Sequence, residues 1–327
     1  MKVLVVGGAG YIGSHMVKML LGEGHDVITF DNLSSGYRDA VVGGTFVQAD
    51  LADKAALDEV FVKHAPDAVM HFASYIQVGE SVRHPDKYYL NNFTNTMNLL
   101  DAMVKNGVNY FIFSSTAAVF GEPEYVPIDE AHAKNPLNPY GRSKLMVEQA
   151  LGDYERAYGI KSVCLRYFNA AGADPEGQLG ERHEPETHLI PLVLQAISGR
   201  RDNITVFGRD YDTPDGTCIR DYIHIVDLCS AHSLALRKLM ETNISRRYNL
   251  GNGAGFSVQE VIAAAQKVTG KPIKVAEGER REGDPARLVA DASLARSELG
   301  WKPVYADLDT IIQHAWQWES KTVGKPV

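Results

Sequence analysis

Along the first half of the chain, short apolar runs alternate with longer segments whose apolar residues recur every three or four positions. The runs at 3–6, 26–30, 45–48, 68–72, 110–114 and 162–166 are rich in β-branched and aromatic side chains and predict strands. Between them, segments at 12–21, 54–63, 88–105 and 140–158 carry helical periodicity. Strand–helix alternation of this kind calls for parallel strands with right-handed crossovers, hence a doubly wound α/β sheet. From about residue 169 the pattern changes. Gly, Pro, Asp and His crowd residues 170–188, which predicts a long loop leaving the first lobe. Helical patterns return at 190–198, 226–239, 258–268 and 308–318, separated by short extended pieces, and predict a smaller mixed α/β lobe packed against the first with a cleft between.

Composition narrows the class without naming a chemistry. The 327 residues are 45% apolar and 23% charged, ordinary for a globular protein, and a net charge of −8 argues against general nucleic-acid binding. Cys164, Cys218 and Cys229 are odd in number and lack metal-ligand spacing, which suits a reducing compartment. The first strand pattern begins at Val3, leaving no room for a signal peptide, and no apolar run reaches the roughly 20 residues of a membrane span. A cytoplasmic protein is expected.

The first strand runs directly into Gly7-Gly8-Ala9-Gly10-Tyr11-Ile12-Gly13. In a strand-to-helix turn, Gly7 permits the tight bend, Gly10 lets the backbone approach a pyrophosphate, and Gly13 allows close helix–strand packing. The next strand ends in Asp31-Asn32. A carboxylate there accepts from a ribose 2′-hydroxyl and repels a 2′-phosphate, favouring NAD over NADP. Asp50, after the third strand, is placed to accept from the adenine amino group. The expected organisation is an NAD-binding Rossmann lobe over 1–169 and a substrate lobe over 170–327, with late segments able to return to the first lobe.

A second pattern supplies reactivity. Tyr140 and Lys144 are four residues apart in a helical segment and so share a face. An ammonium beside a phenol favours the phenolate, making Tyr140 a candidate base for hydride chemistry at a hydroxyl. Ser114-Ser115-Thr116 places hydroxyls at a strand's C-terminal end, where open α/β sheets hold ligands; Thr116 is the candidate partner of the substrate hydroxyl, and a helix-capping turn is the alternative role.

These glycine, Asp31-Asn32, Ser115/Thr116 and Tyr140–Lys144 motifs resemble the extended short-chain dehydrogenase/reductase superfamily. Val78-Gly79-Glu80-Ser81-Val82, Leu165-Arg166-Tyr167-Phe168-Asn169, Gly216–His224 and Arg281-Glu282-Gly283-Asp284 are similar to segments of the UDP-glucose 4-epimerase family, and the likeness runs from residue 1 to about 318. The resemblance implies tightly held NAD, oxidation of carbon 4 of a UDP-sugar, turning of the 4-keto sugar, and return of hydride to its other face. It implies further cofactor contacts from Tyr11, Ile12, Leu51, Phe72, Tyr140 and Lys144. On the substrate side it implies contacts from Thr116, Tyr140, Asn169, His188, Leu189, Phe207 (on uracil), Arg220 and Arg281 (on phosphate), Tyr222, Asp284 (on the uridine ribose) and Leu288 (beside the sugar). On the residues alone, Arg220 followed by Asp221 reads equally as a surface ion pair.

The sequence departs from the family pattern in places. Thr116 stands where many members have Ser, and Phe120 replaces a common Tyr. Ile76 stands where some members have lysine, and is assigned no role. Leu288 leaves acceptance of an N-acetyl group open. Dehydratases of the superfamily carry Asp-Glu beside the active hydroxyl, whereas Ala117-Ala118 follow Thr116 here, against elimination chemistry. Epimerisation of UDP-N-acetylhexosamines or UDP-pentoses, another NAD-dependent sugar-nucleotide oxidoreductase, an alcohol dehydrogenase that releases its cofactor, and a non-enzymatic NAD-binding regulator remain the alternatives. His183-Glu184-Pro185-Glu186-Thr187-His188 superficially suggests a zinc motif, but its histidines are five apart and Pro185 opposes the helix such a motif requires, so no metal is expected. His71, in an apolar strand, reads as a satisfied structural histidine. The apolar stripes at 88–105 and 140–158 predict a homodimer interface, as such helices form in the family.

Overall fold

The computed structural model describes residues 1–281 and 284–322. Strands β1 (Lys2–Val6), β2 (Asp26–Asp31), β3 (Thr45–Gln48), β4 (Ala68–His71), β5 (Tyr110–Ser114) and β6 (Lys161–Tyr167) coincide with the six predicted strands to within a residue at each end. With Arg246–Leu250 they form one seven-stranded sheet in the order Arg246–Leu250, β6, β5, β4, β1, β2, β3, with every neighbouring pair parallel. This is the doubly wound Rossmann arrangement.

Alternation along β1 builds two cores. Val3 and Val5 point to one side, where they meet the helices Tyr11–Gly22 and Ile225–Thr242 through Met16, Leu20, Leu228 and Leu236. Leu4 and Val6 point to the other, against Leu57, Leu99, Met103, Val147 and Leu151 of the helices Lys54–His64, Asn95–Asn106 and Pro139–Tyr158. Both faces being covered explains why the strands read as continuous apolar runs. A third core, around Val193, Val206, Val261 and Ile311, packs the helices Leu189–Ser198, Val258–Thr269 and Leu308–Thr322 with the short strand pair Ile204–Phe207 and Val275–Gly278.

The strand Arg246–Leu250 and the helix Ile225–Thr242 are the late segments that join the first lobe. The predicted helix over 88–105 is interrupted. It begins as a π-helical stretch, Tyr89–Thr94, and continues as Asn95–Asn106. Within the π stretch, fully buried Asn92 donates to the carbonyl of Tyr75 at 2.9 Å and accepts from its N–H at 2.9 Å. Widened helical turns often place a functional side chain; here the widened turn pins the loop that carries Ser74.

Candidate active site

The C-terminal ends of the strands open onto a cleft of about 1530 Å³ between the lobes. Gly7, at φ +80°, makes the turn out of β1, and its N–H donates to the carbonyl of Phe30 at 2.8 Å. A Cβ on Gly7 would lie 2.5 Å from the Ala73 nitrogen, and one on Gly13 would lie 2.0 Å from the Gly7 carbonyl. Both positions are closed to side chains by backbone. Gly10 differs: a Cβ there meets only the Gly7 carbonyl, at 3.4 Å, so its bare Cα leaves room on the cleft side rather than in the core. The N-terminus of helix Tyr11–Gly22 follows at once, with its unpaired N–H groups and positive dipole.

Asp31 accepts from the N–H groups of Ala9 at 2.9 Å and Leu33 at 2.8 Å. Burial raises its pKa, and these two hydrogen bonds oppose the rise. Asn32 donates to Asp50 at 2.6 Å, tying together the ends of β2 and β3. Tyr11, Ile12, Asp31, Asn32, Asp50, Leu51 and Phe72 all line the cleft with the three glycines.

At the cleft's other wall, Asn138 caps the helix Pro139–Tyr158 by accepting from the Gly141 N–H at 2.9 Å. Gly141 lets this helix touch the Thr116 loop, since a Cβ would lie 2.4 Å from the Ala118 carbonyl. Tyr140 is thereby held against Thr116. Burial raises the Tyr140 pKa, and hydrogen bonding to Thr116 lowers it. The buried ammonium of Lys144, one turn further on, donates to the Ser74 hydroxyl at 2.6 Å and the Ser114 carbonyl at 2.9 Å. Burial brings its pKa down to about 7, against an upward pull from Glu148.

The Ser/Ser/Thr run separates into three roles. Ser114 shares a hydrogen bond of 2.7 Å with Tyr167. Ser115 donates to buried Glu148 at 2.6 Å, and Glu148 is paired with buried Arg166. Thr116 accepts from the Ala118 N–H at 3.1 Å, capping a short 3-10 turn, and also faces Tyr140, so the capping role and the site role coexist.

On the second lobe, Asn169, His188, Arg220, Arg281, Asp284 and Leu288 line the cleft. Arg220 pairs with Asp284, another residue of the same wall, and not with its neighbour Asp221. Asp221 is buried and accepts from the N–H groups of Asn252, Gly253 and Ala290, a structural role. Asn169 donates to the Asp221 carbonyl at 2.9 Å. Arg281 lies over the ring of Phe207, 4.1 Å from its centroid, at the edge of the cleft. Glu282 and Gly283 of the Arg281–Asp284 motif fall outside the described residues. Two expected substrate residues sit differently: Tyr222 is buried in the second-lobe core, and Leu189 packs against that core at the start of its helix. His71 is buried, bonded to Thr96 at 2.9 Å, and its pKa falls to about 3 through burial and then the charge of Lys144.

The segment expected to hold no metal, His183–His188, gathers with Glu181 into one cluster. Glu181, His183, Glu186 and His188 converge in the cleft wall beside Tyr11, although the segment is irregular rather than helical. Burial would lower both imidazole pKa values, but the two carboxylates outweigh it and hold His183 at about 9 and His188 at about 10. A histidine spacing of five, read against a helix, argues against a shared face, but this segment is not helical.

The chain matches the NAD dependent epimerase/dehydratase family over residues 3–251. It is 50% identical over 321 residues to the UDP-glucose 4-epimerase of Halalkalibacterium halodurans, covering 98% of this chain and 96% of that protein. The structure of UDP-glucose 4-epimerase from Brucella ovis in complex with NAD superposes with a TM-score of 0.95 at 52% identity, covering 96% of this chain and 97% of the other. That of Bifidobacterium longum, in complex with NAD+ and UDP, superposes with a TM-score of 0.92 at 40% identity over 99% of each chain.

Proposed function

Because the chain belongs to the NAD dependent epimerase/dehydratase family, we propose that it interconverts UDP-glucose and UDP-galactose by reversible oxidation at carbon 4 of the sugar. The observation that carries this reading is the meeting of Tyr140 with Thr116 at one wall of a cleft whose other wall is the Gly7–Gly13 turn. NAD is the cofactor, and the residues fit it. Gly10 leaves room for a pyrophosphate at a helix N-terminus, and Asp31 stands where a ribose hydroxyl would be held. NAD bound there supplies a hydride acceptor that later acts as donor, and its positive ring adds to the charge that Lys144 brings to the site.

In this reading Gly7, Gly10, Tyr11, Ile12, Gly13, Asp31, Asn32, Asp50, Leu51 and Phe72 hold the cofactor. Thr116 orients the 4-hydroxyl, and the Tyr140 phenolate accepts its proton as the C4–H bond breaks. The 4-keto sugar turns, and Tyr140 returns the proton to the oxygen once hydride has reached the opposite face. Lys144 positions Ser74 and the Ser114 carbonyl, and keeps a positive charge beneath the reacting centre. Arg220 and Arg281 hold the diphosphate and Asp284 the uridine ribose, so the anchor is the nucleotide and the sugar is free to turn. Breaking the Arg220–Asp284 pair is part of substrate entry. His188 and Asn169 face the sugar–diphosphate junction. The proposed division gives residues 1–169 to NAD and 170–327 to the UDP-sugar, with Ile225–Thr242 and Arg246–Leu250 completing the first lobe.

A homodimer is proposed from the outer surface of the first-lobe helices Asn95–Asn106 and Pro139–Tyr158, with the π stretch that precedes the former. Leu90 is 60% exposed, and Phe93, Met97, Leu145, Met146 and Tyr154 are only half-buried. A cytoplasmic setting is supported by three free, buried cysteines, and no described helix is long and apolar enough to cross a membrane. Incubating the purified protein with UDP-galactose, UDP-N-acetylgalactosamine and UDP-xylose, then separating the products, tests the reading. UDP-glucose without accumulation of NADH is expected from the first, and the absence of any 4-epimer from all three would refute it. Epimerisation of the second alone would move the assignment to the N-acetylhexosamine alternative that Leu288 leaves open, and of the third alone to the pentose alternative.

A further inference from the structure

The Glu181–His188 loop brings two carboxylates and two imidazoles to one point. His183 Nδ1 lies 3.1 Å from Glu181 Oε1 and 3.7 Å from Glu186 Oε2. His188 Nδ1 lies 2.9 Å from the same Glu181 oxygen and 3.0 Å from Glu186 Oε1. One donor atom from each of the four residues lies within 4.8 Å of all the others. Four ligands at the roughly 2.0–2.2 Å bond lengths of zinc sit about 3.3–3.6 Å apart at the corners of a tetrahedron. Three of these four separations fall just below that range and one just above it.

A second observation points to the same centre. Glu181 Oε1 and His183 Nδ1 are buried yet make no hydrogen bond, although they are only 3.1 Å apart. The Glu181 side chain is only 6% exposed and that of Glu186 only 5%. Two carboxylates buried this closely need about two positive charges beside them; the two imidazoles face them here, and one divalent cation would supply both charges when the imidazoles bind it as neutral ligands.

We propose that Glu181, His183, Glu186 and His188 form a structural divalent-cation site, best suited to Zn²⁺, that fastens the second-lobe loop beside the cofactor turn. The donor set of two imidazole nitrogens and two carboxylate oxygens is a zinc set, closed by four protein ligands as structural sites are. Both histidines bind through Nδ1, which leaves each Nε2 carrying the proton. His188, whose side chain is 34% exposed and lines the cleft, then presents an N–H of fixed tautomer to whatever lies there. The His183 ring meets the Tyr11 ring edge-on, with centroids 6.3 Å apart, and Tyr11 in turn donates to the Gly172 carbonyl at 2.7 Å. The cation thus ties the substrate lobe to the glycine turn at a third point. This inference goes beyond the epimerase reading and does not rest on it, since metal content is measured without turnover.

The test uses the full chain with NAD as purified, loaded with ZnCl₂, freed of loose metal by gel filtration and analysed by inductively coupled plasma mass spectrometry. About one zinc per chain is expected, falling below about a tenth in Glu181→Gln/His183→Ala. A folded wild-type protein that retains none after loading overturns the proposal, as does equal retention by the double variant, which would put the metal elsewhere. If that variant does not fold, Co²⁺ in the wild type decides. Intense visible bands of tetrahedral Co²⁺ support the site, and the weak spectrum of six-coordinate Co²⁺ overturns it.

Discussion

The ammonium of Lys144 donates to the hydroxyl of Ser74 at 2.6 Å, and this bond joins the helix Pro139–Tyr158 to the loop that follows β4. Asn92 braces the same loop through the backbone of Tyr75. Lys144 is therefore a positioning group as well as a charge. Burial holds its pKa at about 7, below the usual lysine value. Between that pH and about 10.4 the unfolded chain binds a proton that the folded chain does not, so this residue's contribution to stability rises with pH across that window. We predict that Lys144→Met loses about 10²-fold in kcat. Denaturant titrations at several pH values should find wild type gaining stability relative to the variant from pH 7 upward; wild type losing stability relative to the variant over that range contradicts the assignment.

Tyr140 is expected to be indispensable. Its phenol opens on the cleft, and no other described tyrosine combines that position with a Thr116 contact. Tyr140→Phe should keep the fold and the bound NAD while kcat falls by about 10²–10⁴-fold. Circular dichroism and the NAD content of the denatured protein control for fold and cofactor. Turnover within about tenfold of wild type would remove Tyr140 from its role.

Thr116 and Ser115 are neighbours with separable functions. Ser115 is committed to Glu148 at 2.6 Å, so it braces the buried Glu148–Arg166 pair and is turned from the cleft. Thr116→Ser should retain most activity, because the hydroxyl survives, whereas Thr116→Val should lose roughly 10- to 100-fold in kcat with little change in KM. Ser115→Ala should act on stability instead, lowering the midpoint of thermal unfolding. The reverse pattern in kinetics and melting would show that the two hydroxyls have been exchanged.

The glycines make a sharper contrast. A methyl on Gly13 would sit 2.0 Å from the Gly7 carbonyl, an overlap that no side-chain motion relieves. On Gly10 it would meet that carbonyl at 3.4 Å and otherwise project toward the cleft. Gly13→Ala should therefore unsettle the turn itself, costing on the order of 1–3 kcal/mol or more in unfolding experiments. Gly10→Ala should fold normally but release NAD on gel filtration. Equal NAD retention by Gly10→Ala and wild type would mean that the pyrophosphate does not approach there.

The six strands of the first lobe were legible because burial on both faces makes them apolar throughout, and the glycine turn because sterics permit no other residue at Gly7 and Gly13. Arg246–Leu250 was not, since it begins with two arginines and enters the sheet from beyond an eighteen-residue helix, Ile225–Thr242. The interruption at Tyr89–Thr94 was hidden for another reason: its cause is the long-range bonding of Asn92 to Tyr75, which local periodicity does not register. Tyr140, Thr116 and the three motif glycines all line the cleft. Tyr222 and Leu189 do not, because a motif records which residues lie near a site and not which of them turn into the core. The Glu181–His188 cluster escaped because two of its ligands come together only through the fold of an irregular loop.

The central claim is that one proton acceptor, Tyr140, serves an oxidation and a reduction at the same carbon. UDP-galactose carrying deuterium at carbon 4 tests it most directly, with the product isolated and examined by mass spectrometry and proton NMR. The account predicts UDP-glucose with the deuterium still on carbon 4, at inverted configuration, because the hydride leaves and returns within one closed site. Unlabelled UDP-glucose, or label collecting in free reduced cofactor, would contradict it.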